Sequence, residues 1–277
     1  MRVEVLGSGY AGAVDALVGG NLRAADACSD LVDRLQGCAA MAGDDSTAAE
    51  FAASYDEAAA EALAALADLV GAFGSLAHLA EASLANHHGA EVASGGTRVA
   101  APPSRADDSV EVVVAAPPTS LGSDSPSLPG PLTWVLDQIE GVVWPDADTD
   151  RVRAAGDTWR TAADWVSVLT VYCDNALLDL SDEVSPEIPL AIATTQDLRA
   201  RVDTLAGQLA AIGGACDAYA EQVDAKRDEM LDLLARLAGE LAVGAIIGGG
   251  LTLLSGGLAG PRPVPPAPPG SPGRLAS

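Results

Sequence analysis

The sequence predicts an all-α protein built from two long antiparallel helical hairpins, which is a four-helix, bundle-like architecture. The strongest indication is an apolar stripe with heptad spacing, in which only Lys226 carries a charge. A narrow stripe of this length needs a partner helix of similar length. The composition agrees, because 49% apolar residues with only 4% aromatics leave cores of small side chains that let helices approach closely. The stripe consists of Leu198, Val202, Leu205, Leu209, Ile212, Cys216, Tyr219, Val223, Lys226, Met230, Leu233 and Leu237.

The first hairpin is predicted over residues 1–92. Helical periodicity runs from about residue 14 to residue 41, and it resumes from about residue 48 to residue 88. Between them, residues 43–47 combine a glycine with Asp, Ser and Thr, which supply a helix stop and then an N-cap. Because this connection is short, we expect the two helices to be adjacent and antiparallel.

A flexible linker is predicted over residues 93–131, where Gly, Ser, Pro and Asp dominate. Within it, residues 110–114 are expected either to form a short strand or to lie extended against a helix.

The second hairpin is predicted over residues 132–243. Pro145 prevents a helix from running through, and Asp146 or Asp148 is placed to cap the helix that follows. A turn is expected near residues 184–190, and the heptad stripe forms the return helix from about residue 196 to residue 241.

The chain then changes character. A Gly-rich apolar segment covers residues 244–260, and a Pro-rich tail at 261–277 is expected to be disordered. Residues 241–260 carry no charge and are numerous enough to cross a bilayer, although their glycines weaken a membrane helix. A packed or flexible end of the bundle is the favoured prediction, and a membrane association through 241–260 is the alternative.

Charge and cysteine usage limit the function classes. A formal net charge of −24 repels phosphates, so no nucleic-acid partner is expected. The four cysteines have neither disulfide nor metal spacing and are predicted to be buried free thiols. Residues 1–20 lack the sustained apolar core of a Sec signal peptide, so an exported chain would use another route.

No catalytic, cofactor-binding or metal-binding constellation is expected. His78, His87 and His88 fall at the end of one predicted helix with no further ligand at metal spacing. The glycine pairs lack the lysine and hydroxyl residue of a phosphate loop, and no nucleophile elbow is present. The sequence therefore predicts a protein that is not an enzyme and needs no cofactor.

Aromatic side chains are few, and they mark the candidate face for packing or for a partner. Hairpin or inter-helix core is the favoured interpretation, because aromatic residues on an apolar helical stripe usually pack inside. The candidate residues are Phe51, Tyr55, Trp159, Trp165 and Tyr219.

Two sets of residues resemble known proteins. Residues 41–45, 51–59 and 86–88 resemble the first hairpin of actinobacterial type VII secretion targets, the Trp-x-Gly helical-hairpin family. The second set resembles the N-terminal module of the outer-membrane-channel and toxin proteins exported by that system. Neither turn of this chain contains Trp-x-Gly, and no tyrosine is followed four residues later by Asp or Glu. The second set comprises residues 144–148, 159–163, 185–189, 216–220 and 244–260.

The resemblance implies a non-enzymatic delivery role. Such hairpins pair with a partner hairpin, are recognised by a secretion ATPase and carry an effector across the envelope. The expected partners are thus a helical-hairpin protein or a second copy, and the secretion ATPase. The expected location is outside the cell or at its surface. The alternatives are a membrane anchor or pore component that uses residues 241–260, and a cytoplasmic coiled-coil adaptor.

Overall fold

A computed structural model describes residues 7–95, 104–123 and 143–242, with side chains as far as residue 237. Over these residues the chain is helical and contains no strand, which confirms the all-α prediction. Of these residues, 7–95, 104–123 and 144–229 belong to one compact unit, and 143 and 230–242 belong to a second. The α-helices in the described part of the chain are α1 (Ser8–Leu35), α2 (Ser46–Ala93), α3 (Thr149–Ser167), α4 (Thr170–Ser181) and α5 (Ile188–Ala242).

The first hairpin consists of α1 and α2. α1 begins six residues before the predicted start, and in its first turn the Gly9 N–H donates to the Glu183 carboxylate at 2.9 Å. This distant carboxylate replaces a local cap and also suits the positive end of the helix dipole. α1 ends in a short 3-10 turn, and the Asp45 side chain then caps α2 by accepting from the Ala48 N–H at 2.8 Å. The predicted N-cap is confirmed, but α1 ends at Leu35, before the stop predicted at residues 43–47.

The second hairpin consists of α3 and α4 as one arm and α5 as the other. Asp148 caps α3, as one of the two predicted possibilities. The arm was predicted as a single helix, but it is interrupted at Val168–Leu169. α5 begins at Ile188, earlier than predicted, because Pro189 lies in its first turn, where proline is tolerated.

One apolar core joins the two hairpins. Buried side chains from all five helices form a single continuous cluster. In the first compact unit, α1 is antiparallel to both α2 and the α3–α4 arm, and α5 is antiparallel to the same two elements, as cross-helix contacts along their lengths require. Each hairpin therefore buries its apolar face against the other, whereas the predicted domain boundaries at 92, 131 and 243 stay predictions.

Residues 104–123 lie in the predicted linker, and they form what we call the strap. The strap is extended apart from a 3-10 turn at Ala106–Asp108 and runs along the first hairpin. Val112 and Val114 are half-buried against the core, whereas Val113 between them is fully exposed. Of the two conformations predicted for residues 110–114, the extended one is observed. This part of the connection is packed, unlike a freely flexible linker.

The heptad stripe is buried along most of α5. From Leu198 to Val223 its members are buried apart from the half-buried Ile212, and the side chain of Lys226 is then 57% exposed beside Glu229. A straight helix drifts relative to a strict 3.5-residue repeat, so a long stripe rotates away from the core it covers. Lys226 accordingly extends its ammonium into solvent.

Two predicted segments, 244–260 and 261–277, lie outside the described residues. Among the residues that are described, α2 is long and apolar enough to cross a membrane by length and composition alone. However, 44% of its most apolar stretch is buried inside the protein, as in the core helix of a bundle. The membrane alternative for residues 241–260 stays a prediction.

Replacing Leu209 by alanine should lower the free energy of unfolding by about 2–4 kcal/mol, because the side chain is fully buried and its loss leaves a cavity. Leu209→Asp should cost more, since it places an unpaired carboxylate in the core. The matched control is Leu190→Ala, which makes the same change on the same helix at a position that is 71% exposed. It should cost less than about 0.5 kcal/mol. Urea unfolding measures all three, and equal midpoints for Leu209→Asp and the parent would contradict this packing.

Candidate functional site

Four of the five predicted aromatic residues meet in one cluster between the hairpins. Phe51 and Tyr55 come from the start of α2, Trp159 from α3 and Tyr219 from α5. The rings of Phe51 and Tyr219 stack with centroids 3.9 Å apart and an interplanar angle of 6°. Tyr55 stacks on Phe51 at 5.5 Å and meets Trp159 edge-on at 6.3 Å. We call this group the aromatic joint, because it connects three helices from both hairpins.

Hydrogen bonds satisfy the polar atoms of the joint. The Trp159 indole N–H donates to the Tyr55 hydroxyl at 3.0 Å, and both side chains are buried. The Tyr219 hydroxyl donates to the Ala42 carbonyl at 2.6 Å, in the connection between α1 and α2. Burial raises the pKa of Tyr55, so its hydroxyl stays protonated. Because buried polar atoms without partners are costly, these bonds fix one arrangement of the rings.

Trp165 lies apart from the joint. It is half-buried, and the Arg34 guanidinium sits over its ring at 5.2 Å from the centroid. Such a cation–π contact contributes about 0.5–1 kcal/mol at an exposed site. Trp165 thus links α3 to α1 at the protein surface.

A polar cluster closes the opposite end of the bundle, and we call it the end clasp. Tyr10 of α1 donates to Glu187 at 2.7 Å and shares a hydrogen bond with Ser185 at 2.8 Å. His87 of α2 places its Nε2 2.5 Å from the same Glu187 oxygen, and its ring packs against Tyr10. The clasp therefore connects the start of α1, the end of α2 and the turn before α5.

Burial and hydrogen bonding determine the protonation states in the clasp. Burial alone raises the pKa of Glu187, but donors from Tyr10 and His87 outweigh it and lower that pKa to about 2. Burial also raises the pKa of Tyr10 to about 12, and the neighbouring Glu187 charge adds to this. Glu187 is thus an anion and Tyr10 a neutral donor across the physiological range.

Glycines bring α1 against α4. A Cβ on Gly12 would lie 2.5 Å from the Asp179 carboxylate, and one on Gly19 would lie 2.9 Å from the Tyr172 ring. The second hairpin repeats this device, since a Cβ on Gly213 would lie 2.8 Å from the Gly156 carbonyl oxygen. At Gly213 the neighbour is backbone, so only a residue without a side chain fits there, whereas at Gly12 and Gly19 a Cβ would require the Asp179 and Tyr172 side chains to move.

Interhelical ion pairs set the register of the second hairpin. Arg153 and Arg160 on α3 each reach an aspartate of α5, Asp224 and Asp217, at 2.5 Å. All four groups are about 40% exposed, so solvent screens each pair and its contribution to stability is small. Their main effect is to align α3 on α5.

The described residues offer no group of three or more His, Cys, Asp or Glu side chains that could hold a metal ion. All four cysteines are free and buried, as predicted, and burial raises the pKa of Cys173 and of Cys216 to about 12. Thiols of this kind are poor nucleophiles. A groove of about 290 Å³ between α2 and α5 is lined equally by apolar and polar residues, namely Ala65, Leu69, Ala72 and Leu205 with Asp68, Arg201, Thr204 and Gln208.

Sequence reasoning missed the end clasp and the strap contacts. Residues 10, 87, 185 and 187 have no common motif, and only the packing of one hairpin on the other brings them together. The glycines of α1 were the available signal, since Gly9, Gly12 and Gly19 lie close to one helical face, but α1 was predicted to start after two of them.

No family model matches the chain, and no solved structure matches it. The Outer membrane channel protein CpnT of Mycobacterium tuberculosis is 32% identical to the chain over 214 residues, and so is CpnT of Mycobacterium bovis. The match covers 77% of this chain. The chain is homologous to part of CpnT.

A second kind of relative has a different name. Mav of Mycobacterium avium, whose name gives it as a predicted NAD(+)–arginine ADP-ribosyltransferase, is 31% identical over 181 residues, or 64% of this chain. The chain spans about a quarter of the length of CpnT and about a fifth of Mav. What it matches is thus a minor part of each relative.

The end clasp should stabilise the protein above about pH 4.5 and lose this contribution as the pH falls towards 2. The sign follows because Glu187 has a lower pKa when folded than its ordinary value of 4.5, so folding favours its ionised form. Glu187→Gln should therefore be less stable than the parent near pH 6, and the difference should shrink between pH 4.5 and 2. Urea midpoints across this range measure it. Glu57→Gln, which removes one exposed charge on α2, is the control.

Proposed function

We propose that the chain is a non-enzymatic helical delivery module of a type VII secretion system, associated with proteins of the toxin and outer-membrane-channel kind. In this role it acts through helix–helix pairing and accompanies an effector out of the cell. The observation that carries the proposal is the match of one stretch of sequence to two relatives with different names.

The difference between those names supports a shared accessory role. CpnT is named as an outer membrane channel protein and Mav as an ADP-ribosyltransferase, yet both contain sequence that matches most of this chain. A segment common to proteins of different activity is better explained by something that both need. Transport to the place where each acts is such a need, and it agrees with the resemblance of the two hairpins to secretion targets.

The structure supports a role without catalysis. In the described residues, three buried tyrosines are tied to structural partners: Tyr55 to Trp159, Tyr10 to Glu187 and Tyr219 to a backbone carbonyl. A catalytic acid or base needs a substrate-facing cleft. The functional surface is then the outside of the bundle, and the proposed partners are a helical-hairpin protein or a second copy, and the secretion ATPase.

A reporter-transport experiment tests the proposal. The chain is fused in front of a folded reporter and produced in the source cells with and without the secretion ATPase. The reporter should leave the cell only when the chain is attached and the ATPase is present, because the module supplies the route. Quantitative immunoblotting of medium, envelope and cytosol measures the distribution.

Two controls sharpen this test. The reporter alone reports leakage, and a cytosolic marker reports lysis. Equal amounts of the fusion outside both strains would contradict delivery by this system. Retention in the envelope of both strains would favour the membrane-anchor alternative, and retention in the cytosol of both would favour the adaptor alternative.

A further inference from the structure

The strap occupies the outer groove of the first hairpin and follows it in one direction. At its start, Ser104 and the Arg105 N–H donate to the two Glu81 carboxylate oxygens of α2 at 2.9 and 2.7 Å. Arg105 also reaches Asp15 of α1 at 3.2 Å. Further along, the strap meets Asn21 of α1, so it runs parallel to α1 and antiparallel to α2.

The groove holds the strap by its backbone. Asn21 is fully buried, and its amide accepts from the Val110 N–H at 2.7 Å and donates to the Val110 carbonyl at 2.9 Å. Its amide nitrogen also donates to the Val70 carbonyl, which fixes the side chain in position. A side chain that hydrogen-bonds to both the backbone N–H and the backbone C=O of one residue imitates a neighbouring β-strand. It therefore recognises the main chain of that residue and does not select its side chain.

The far end of the groove also binds the strap through its backbone. The Asp56 carboxylate accepts from the Thr119 hydroxyl at 2.6 Å and from the Ser120 N–H at 2.9 Å. Residues 40–43 then bond to residues 119–122 through four backbone hydrogen bonds of 2.8–3.1 Å, including a reciprocal pair between Gly43 and Gly122. Short extended segments of chain are recognised in other proteins by this kind of strand pairing.

The strap also exposes several of its apolar side chains to solvent. Val110 is 40% exposed, Val113 is 100% exposed and Leu121 is 42% exposed. The Ser120 hydroxyl is buried, and no described group forms a hydrogen bond with it. A buried hydroxyl without a partner opposes binding, because it loses its hydrogen bonds to water and gains none. The groove is thus well fitted to extended main chain. The strap that occupies it, however, includes an unfavourable contribution from the buried Ser120 hydroxyl.

We propose that the outer groove of the first hairpin is a binding site for an extended peptide of a partner protein, and that the strap masks it until it is displaced. The partner peptide has a basic residue at the end near Asp15 and Glu81. It has small apolar residues at alternate positions, like Val112 and Val114, and hydroxyl residues opposite Asp56. A basic residue also suits a chain whose net charge is −24.

A peptide-binding experiment tests this with the purified full chain, so its result is independent of export. The probe is a labelled peptide with the sequence of residues 104–123. The chain variant Val110→Pro/Ser120→Pro removes two N–H donors from the strap and leaves Asn21, Asp56 and residues 40–43 intact. The variant should bind the probe at least about tenfold more tightly than the parent, because an internal competitor lowers apparent affinity.

The control probe is the same peptide with both prolines, and it should not bind the variant. Circular dichroism checks that the variant is folded. If the double variant is not folded, the single variant Thr119→Val is used in its place. That substitution removes the hydroxyl that donates to Asp56. Equal affinity of parent and variant for the probe, or no binding to either, would overturn the proposal.

Hydrogen exchange on the parent gives a second measurement. The amides of Val110 and Ser120 should exchange more slowly than in the free peptide but at least about 100-fold faster than core amides of α1, because the strap opens without the bundle unfolding. Exchange of strap and α1 amides at one common rate would show that the strap leaves only when the whole protein unfolds, and it would refute release.

Discussion

The hydrogen bond between the Trp159 indole and the Tyr55 hydroxyl is the contact on which the arrangement of the two hairpins depends. It joins α3 to α2 at a buried position, where neither polar atom can form a hydrogen bond with water instead. Separating the hairpins would break it and would expose the large apolar surfaces of both rings. The stacked rings of Phe51 and Tyr219 extend the same joint to α5. In a chain with few aromatic residues, this concentration at one place gives two thin hairpins a common core.

The rest of the bundle fixes how the hairpins align once the joint forms. The end clasp at Glu187 ties three elements at the opposite end, so the hairpins are held at two distant points along their length. Between these points, Gly12 and Gly19 allow α1 to lie directly on α4. Alanine and glycine provide little apolar area for each residue, and close approach compensates by improving packing over a long contact. Because the interior serves packing, the outer surfaces are left for function, and on one of them the strap covers a groove.

The sequence predicted what depends on local order and missed what depends on tertiary contact. Heptad spacing in α5, the Asp45 and Asp148 caps and the aromatic residues of the joint could all be read from periodicity and turn chemistry. The start of α1 was wrong, because Gly9 and Gly12 have low helix propensity and are helical only through their packing on α4. The break at Val168–Leu169 and the strap contacts of Asn21 and Asp56 have no local signal. They follow from the meeting of segments that are distant in the chain.

Native-state hydrogen exchange of a Trp159→Ala variant tests most directly whether the two hairpins are one cooperative unit. The substitution lies in the second hairpin and should cost about 3–5 kcal/mol, since the side chain is fully buried. The slowest amides of α1 and α2 should then lose as much protection as those of α5, because all of them exchange through the same global opening. If α3 and α5 exchange faster while α1 and α2 keep the protection of the parent, the hairpins fold independently, and the aromatic joint does not hold them together.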